Sequence, residues 1–406
     1  MIVIFCDSKY RDFYSCLLIK EQLETLGYRG KVLVVNFHMW ELVTLNNNVE
    51  AVVINHAAGT RNKTIIQRMK KMGKKVFVLP TEGRPDSGKP LDFIVSQATH
   101  PSVDAYFSWS DLVTERYGEK AFTTGCPRFD IYDDPRFMTT REEFASGLKM
   151  NSDLPTISVA SNFPQAKFSY QGIEFNKLDW KDLNIDKELG DPEVYARAEY
   201  DRQHAFMTLI DAVASYTKYN FVIKPHPMDD MSLWRTMRTA SPAKDRIRVY
   251  THNIHTLIFG SDLLISRQSC MTHLDAALGK IPSVGIIIDS FDTTKDLPNI
   301  KYSVDCTLSN NPIGDLMSVI SDALQDDFEP RKEMDGYLKK YGFVSDGAAN
   351  KIATIIANKV GPTKTQPNQV AELLATIKAN KNKAGLFNDK NISLEDLRDW
   401  REVLGR

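Results

Sequence analysis

The sequence predicts an α/β protein built from two doubly wound, Rossmann-like parallel sheets. Short β-branched runs such as IVIF (2–5) and KVLVV (31–35) alternate with segments of helical periodicity, which is typical of parallel βαβ units. The same alternation starts again at TISVASNF (156–163), after a charged and Asp-rich passage. The 406 residues also exceed the roughly 250–300 at which single cores stop growing, so two domains are expected.

The first domain is predicted over residues 1–150, on one side of a cleft between the two domains. A helix around residues 11–27 and a basic helix around 60–73 connect its early strands. Its later strands are expected at AVVIN (51–55), KVFVL (75–79), AYFSW (105–109) and within AFTTGCPRFD (121–130).

The second domain is predicted over residues 151–360. A polar insert at about 165–190 is expected to form a loop over the cleft, and a long helix is expected from about 193 to 217. Residues 361–406 are interpreted as a polar linker followed by a helical tail. The later strands are expected at FVIKPHP (221–227), RIRVYT (246–251), DLLIS (262–266) and SVGIII (283–288).

The composition and the missing motifs exclude several classes of protein. With 42% hydrophobic and 25% charged residues, the composition is that of a globular protein. The formal net charge of −1 gives the chain no excess of positive charge with which to attract the phosphates of nucleic acid. No nucleic-acid partner is expected, and any anion site must be local. No G-x-G-x-x-G, Walker loop, Ser/His/Asp order or H-E-x-x-H occurs, which argues against dinucleotide oxidoreductases, P-loop enzymes and zinc hydrolases.

The cysteines argue against a disulfide framework or a zinc site, because they are odd in number, scattered and without a C-x-x-C pair. No metal is expected, and the compartment is predicted to be reducing. The N-terminus MIVIFCDSKYRD lacks a signal-peptide pattern, and no run of about 18 apolar residues occurs, so we expect a cytoplasmic protein without a membrane span. The cysteines are Cys6, Cys16, Cys126, Cys270 and Cys306.

The stretch FVIKPHPMDD (221–230) places charged residues at the end of a buried strand. Because open α/β sheets bind ligands at the carboxyl ends of their strands, these residues are expected to line the cleft. His226 stands between Pro225 and Pro227, which restrict its backbone, so its N–H could bind a phosphate oxygen while Lys224 adds charge. The alternative is a rigid turn with a solvated histidine.

Two adjacent carboxylates follow this turn. Asp229 and Asp230 could begin a helix and complement its dipole, or one of them could be a nucleophile or base in the cleft. Adjacent residues at a helix start point about 100° apart, so at most one is expected to face a ligand.

A second polar turn, formed by Arg267, Gln268 and Ser269, follows the strand DLLIS and precedes a helix. The free N–H groups and the dipole of a helix start favour an anion, although an ordinary capped helix would show the same pattern. Further candidate donor contacts at the end of the first strand of this domain are Ser161 and Asn162.

A third candidate site lies in LPTEGRPD (79–86), which places Glu82 at a strand end of the first domain, beside Arg84. A carboxylate facing the second domain could act as base toward an incoming hydroxyl. A surface turn with a local Glu/Arg pair is the alternative.

Two Rossmann-like domains with a nucleotide site at the strand ends of the second form the GT-B architecture of glycosyltransferases. The order of TEG, TGCPRFD, KPHP and a Q-S turn before DAALGK resembles the bacterial β-Kdo transferases of capsule and O-antigen assembly, over about residues 1–360. Cys270 stands where that family's serine would be and His273 where its glutamate would be, which leaves the register of nucleotide contacts open and makes His273 a candidate contact. The resemblance implies that the CMP part of CMP-Kdo is held by His226, Pro227, Gln268 and Ser269.

The resemblance also implies a retaining transfer of Kdo to a sugar hydroxyl of a bacterial surface polysaccharide, most simply through a covalent sugar–carboxylate intermediate. Asp230 is the expected nucleophile, Asp229 the reserve candidate and Glu82 the base for the acceptor hydroxyl. CMP is a competent leaving group once His226 and the helix end at Ser269 stabilise its charge, so neither a general acid nor a metal is required.

Two other interpretations stay open. A CDP-glycerol glycerophosphotransferase, or a transferase with another nucleotide-sugar donor, shares this fold and often a His-Pro turn. A Kdo enzyme must also bind the carboxylate of the sugar, so a cation such as Arg267 near the anomeric carbon would favour it. A non-catalytic glycan-binding module would lack the carboxylates.

Besides the donor and a glycan acceptor, the partners considered are other glycosyltransferase domains and the inner membrane surface, where the protein would be peripheral.

Overall fold

The chain divides into two compact units, each built around a parallel sheet. Unit 1 consists of Met1–Phe137 and Leu338–Arg406, and unit 2 consists of Met138–Tyr337. The residues described by this computed structural model are 1–81, 96–170, 190–268, 270–288, 303–325, 347–361 and 392.

The sheet of unit 1 is six-stranded and its strands are continuous apolar runs, as expected for a parallel sheet that is covered on both faces. The strands are β1 Ile2–Cys6, β2 Val32–Asn36, β3 Ala51–Ile54, β4 Lys75–Val78, β5 Ala105–Ser108 and β6 Ala121–Thr123. They lie in the order β2-β1-β3-β4-β5-β6, and all pairs are parallel.

Helices connect the strands of unit 1 and cover the sheet with one apolar face each. Ile65 and Ile66, for example, are buried and lie four and three residues before the buried Met69 on one helix, while most of its remaining residues are exposed. The helices are α1 Lys9–Thr25, α2 Trp40–Leu45, α3 Gly59–Lys71, α4 Asp111–Tyr117 and α5 Pro127–Asp130.

The sheet of unit 2 is also six-stranded and parallel. Its strands are β7 Thr156–Ala160, β8 Asn220–Lys224, β9 Ile247–Val249, β10 Leu263–Arg267, β11 Ser283–Ile287 and β12 Ser303–Thr307. They lie in the order β12-β11-β10-β7-β8-β9, so the first strand of the unit is central.

The longest described helix of unit 2 begins at a well-formed cap, because the Asp191 side chain accepts from the Glu193 N–H at 2.8 Å and Pro192 occupies the first helical position. None of the helices in the described ranges is both long and apolar enough to cross a membrane. The helices of unit 2 are α6 Arg141–Gly147, α7 Lys167–Tyr170, α8 Pro192–Tyr216, α9 Met231–Ala240, α10 Ile254–Phe259, α11 Thr272–Leu278 and α12 Pro312–Ala323.

The next helix, α13 (Ala348–Val360), packs against α1 in unit 1. The domain bounds predicted from the sequence differ, because they include residues up to 360 in the second domain and divide the domains at residue 150, whereas unit 1 ends its first segment at Phe137. The apolar face of α13, which includes Ile352 and Ile356, predicts a buried helix, but it does not specify which unit covers it.

Replacing Asp130 with alanine is expected to destabilise the start of α13 by about 1 kcal/mol, the usual cost of losing a helix cap. The two oxygens of the Asp130 carboxylate accept from the N–H groups of Ala348 (3.1 Å) and Ala349 (2.8 Å). Hydrogen exchange in the first turn of α13 should accelerate about fivefold. The matched control is Asp133→Ala, an exposed neighbour. Equal exchange rates in the two variants would contradict the capping role.

Candidate functional site

The carboxyl ends of three neighbouring strands bring the predicted donor-binding residues together in unit 2. β7 lies between β8 and β10, and Ala160 at its end is in register with Lys224 and with Ser266. Because β8 and β10 follow β7 in the chain but lie on opposite sides of it, the sheet order reverses here, and open α/β sheets bind ligands at such points. The residues at this edge are Ser161, Asn162, Lys224, His226, Arg267 and Gln268.

A hydrogen-bonded turn fixes His226 directly after β8. The His226 carbonyl accepts from the Asp229 N–H at 2.8 Å, and the ring nitrogen Nδ1 accepts from the Met228 N–H at 3.1 Å. Since Nδ1 is an acceptor, the neutral ring carries its proton on Nε2, which can donate to an anion. His226 is half-buried and Pro227 is exposed. The turn therefore holds a hydrogen-bond donor of defined tautomer at the sheet edge.

Asp229 is turned into the interior of unit 2. Its Oδ2 accepts hydrogen bonds from Ser161 Oγ, from the His226 N–H at 3.2 Å and from Trp234 Nε1 at 3.1 Å. Burial raises the pKa of Asp229 to about 7, although these hydrogen bonds and the nearby Gln203 amide act in the opposite direction. Asp229 thus ties the end of β7 to the His226 turn and to α9.

Asp230 is the N-cap of α9. Its Oδ1 accepts from the Ser232 N–H at 2.8 Å, and the residue is half-buried. Of the two adjacent carboxylates, Asp230 is therefore the one nearer to solvent, whereas Asp229 is buried. The assignment of Asp230 as nucleophile, with Asp229 in reserve, stays a prediction.

Lys224 places a positive charge at the end of β8. Its ammonium donates to the carbonyl oxygen of His252 at 2.6 Å, and the side chain is half-buried. Burial, together with the charge of Lys224, lowers the pKa of His255 to about 3, so His255 is neutral at physiological pH. Lys224 is accordingly a cation against which a phosphate could lie.

Arg267 is buried and its charge is neutralised within the protein. Its Nη1 and Nη2 donate to the two carboxylate oxygens of Glu199 at 2.7 and 3.0 Å, and Nη1 also donates to the Asn162 carbonyl at 3.3 Å. Arg202 donates to the same carboxylate at 3.1 Å. A Kdo donor would be favoured by an additional cation near the anomeric carbon. Arg267 does not meet this condition, because its guanidinium is already paired with Glu199.

Gln268 and His273 occupy the turn and the helix that follow β10. The backbone N–H of Gln268 donates to the Ile286 carbonyl at 3.2 Å, and within the described ranges its buried Oε1 has no hydrogen-bond partner. His273 is fully buried, and its Nε2 donates to the Arg267 carbonyl at 3.0 Å. His273 therefore joins α11 to the end of β10, while Gln268 has an acceptor oxygen that a ligand N–H or O–H could satisfy.

Two predicted site residues, Glu82 and Ser269, lie outside the described residues. The role of Glu82 as base and that of Ser269 in phosphate binding stay predictions, as does the expectation that no metal takes part. The helix after the Q-S turn begins at Thr272, slightly later than the predicted start near Cys270.

Two residues that determine the geometry of this edge, Glu199 and Trp234, are not among the site residues predicted from the sequence. A periodic signal for Glu199 was present, because it lies on the same face of α8 as the buried residues Ala196, Gln203 and Phe206, three to seven residues away. A glutamate on an otherwise buried helix face indicates a buried partner of opposite charge. For Trp234 the sequence offers only its place in the first turn of α9.

Two parallel, doubly wound units define the class of the fold: it is the two-domain α/β fold known as GT-B, which confirms the predicted fold class. Among solved structures the chain is similar to the wall teichoic acid polymerase TagF in a variant soaked with CDPG, at 16% identity and a TM-score of 0.55, covering 89% of this chain and 88% of that one. A second structure of TagF is similar at 16% identity and a TM-score of 0.54, with 89% of both chains covered. A glycosyltransferase from Rickettsia africae ESF-5 follows at 12% identity and a TM-score of 0.48, covering 88% and 98%.

No protein-family model and no curated protein matches the sequence significantly. At 16% identity, the likeness to TagF shows the fold alone.

Proposed function

We propose that this protein is a glycosyltransferase that takes its sugar from a nucleotide-activated donor and transfers it to a hydroxyl of a glycan. The observation that carries the proposal is the His226 turn, which holds an imidazole of defined tautomer directly after β8, the strand that ends in Lys224, at the switch point of the unit 2 sheet. An N–H donor and a cation together suit the phosphate of a nucleotide. The GT-B fold supports the same conclusion.

The donor we propose is CMP-Kdo, because the KPHP and Q-S motifs resemble those of the β-Kdo transferases. The Asp230 carboxylate attacks the anomeric carbon, the bond from that carbon to the phosphate oxygen breaks, and CMP leaves with the electron pair. An acceptor hydroxyl of a bacterial surface polysaccharide then displaces the carboxylate and gives its proton to Glu82. Two inversions retain the configuration of the sugar.

A CDP-glycerol transferase is the second candidate, and one specific observation favours it. Arg267 is paired with Glu199, so it does not supply the additional cation that the carboxylate of Kdo requires. The likeness to TagF, one structure of which was soaked with CDPG, points in the same direction. Both donors contain cytidine linked to phosphate, and the His226 turn would serve either.

The test is intact-protein mass spectrometry after incubation with CMP-Kdo or with CDP-glycerol, combined with measurement of the released cytidine nucleotide. For CMP-Kdo we expect CMP release by the wild-type protein and an adduct of one Kdo mass. Both should disappear in Asp230→Asn. Asp245→Asn, at an exposed position on the same unit, is the matched control and should keep the adduct.

The other outcomes distinguish the candidates. An adduct that is lost only in Asp229→Asn would move the nucleophile to Asp229. CMP release from CDP-glycerol, with CMP-Kdo left intact, would replace the first candidate by the second. Absence of nucleotide release from both donors, with acceptor glycans present, would contradict the proposed transferase activity.

A further inference from the structure

A group of apolar side chains lies exposed on α2 and at the end of α3 in unit 1. Leu42 is 53% exposed, Leu45 is 69% exposed and Met72 is 46% exposed. Leu45 and Met72 line a groove together with the half-buried Trp40. Single exposed leucines are common on protein surfaces, whereas several exposed apolar side chains on neighbouring elements can serve as a docking site. We call these residues, with the exposed cations of α3, the α2–α3 surface.

The α2–α3 surface is strongly basic, although the whole chain has a formal net charge of −1. Arg68 and Lys71 line the same groove as Trp40, and the Arg68 guanidinium lies over the Trp40 ring at 5.9 Å. Lys70 is paired with Asp104 at 2.6 Å, and Glu41 is the acidic residue in the groove. α3 itself contains no acidic residue. Its exposed cations are Arg61, Lys63, Arg68, Lys70 and Lys71.

We propose that the α2–α3 surface binds an anionic phospholipid membrane. Exposed leucine and methionine side chains can enter the boundary between headgroups and acyl chains, and the half-buried Trp40 beside them is of the residue type that favours this boundary. Arginine and lysine stems can lie along apolar surface while their charged ends contact lipid phosphates. This docking places unit 1 against the membrane and does not depend on which donor unit 2 binds.

An acidic peptide would satisfy the cations but fits the apolar residues less well. Leu42 and Leu45 are more than half exposed, so they protrude from α2 instead of forming the wall of a closed pocket. Protruding apolar side chains surrounded by cations are the arrangement expected of a surface that penetrates a lipid interface. A lipid surface is therefore the partner that uses both properties.

The test is co-sedimentation of the full chain with vesicles of phosphatidylcholine alone and of phosphatidylcholine with about one third phosphatidylglycerol. We expect binding to the anionic vesicles that weakens as salt rises. Arg68→Glu with Lys71→Glu should reduce the partition coefficient by about 25-fold or more, because each cation near an anionic surface contributes about a fivefold factor and the two factors multiply. Leu42→Ser with Leu45→Ser should reduce it while keeping every charge.

The matched control is Lys218→Glu with Arg235→Glu, which changes the net charge equally at exposed positions of unit 2 and should leave binding unchanged. Tryptophan quenching by brominated lipid should also fall in Trp40→Phe, which keeps an aromatic ring in the groove. Circular dichroism confirms that each variant is folded. Wild-type binding no stronger to anionic than to neutral vesicles, or equal losses in the control and in Arg68→Glu with Lys71→Glu, would overturn the proposal.

Discussion

Replacing Glu199 with glutamine is expected to lower the free energy of unfolding of unit 2 by about 3–5 kcal/mol. The Glu199 carboxylate is 1% exposed and accepts hydrogen bonds from both Arg267 and Arg202. Glutamine keeps the shape of the side chain but removes its charge, so two buried guanidinium groups lose the carboxylate that they share. Loss of one partner from a buried ion pair is costly because the remaining charges stay in an environment of low dielectric constant.

Urea unfolding, followed by hydrogen exchange of peptides from α8 and β10, measures the effect within unit 2. Asp201→Asn is the matched control, since Asp201 lies on the same helix but is exposed, and should leave the midpoint nearly unchanged. Adding Arg267→Met to Glu199→Gln should recover part of the loss, because it removes one of the two buried positive charges that the Glu199 carboxylate balances. Equal midpoints for Glu199→Gln and Asp201→Asn would show that the ion pair does not stabilise unit 2.

The strands were predictable from the sequence because each is a short apolar run bounded by polar turns. The runs IVIF and AVVIN are observed as β1 and β3, and FVIK is observed within β8. In a parallel sheet both faces are buried, so these runs lack the alternation of a half-exposed strand and are easily located. The two-sheet fold class followed from their number and from the helices between them.

The assignment of α13 to unit 1 was not predictable in this way. Its pattern of apolar residues specifies a helix with one buried face, which would suit either unit. What places it in unit 1 is its packing against α1 and the carboxylate of Asp130, more than 200 residues earlier in the chain. Contacts over such separations leave no local signal in a single sequence.

The sequence located the edge of the site more accurately than the contacts within it. Strand ends followed by polar turns identified the regions of His226 and Gln268, because parallel strands end at the same edge of a sheet. The spacing of Asp229 and Asp230 implied that only one would face a ligand, but it could not say which one is buried. Arg267 and Glu199 are 68 residues apart in the chain, so their pairing could not be predicted from the local sequence either.

Unit 2 is expected to lose stability as the pH rises from about 4 to about 7, owing to Asp229. Burial raises the pKa of this carboxyl from the ordinary value of 3.8 to about 7 in the folded protein. Between these values the unfolded chain is ionised and the folded protein holds the proton. Stability is therefore greatest below the unfolded pKa and falls by about 1.4 kcal/mol per pH unit until the folded pKa is reached. The total is on the order of 4 kcal/mol.

Asp229→Asn should abolish this contribution. The amide oxygen can still accept from Ser161, from the His226 N–H and from Trp234, while the side chain can no longer ionise. The variant and the wild-type protein should have similar urea midpoints near pH 4, and the variant should be more stable by several kcal/mol at pH 8. Subtracting the two curves removes the contributions of all other titrating groups.

The matched control is Asp230→Asn, at the adjacent half-buried position, where asparagine caps a helix about as well as aspartate and should leave the pH dependence of the wild type unchanged. Parallel wild-type and Asp229→Asn curves between pH 4 and 8 would mean that Asp229 is ionised in the folded protein. In that case a buried carboxylate would be present next to the His226 turn, and Asp229 would have to be considered ahead of Asp230 as the nucleophile. A difference that grows with pH would instead show that Asp229 is protonated near neutrality, where it serves to hold β7, the turn and α9 together.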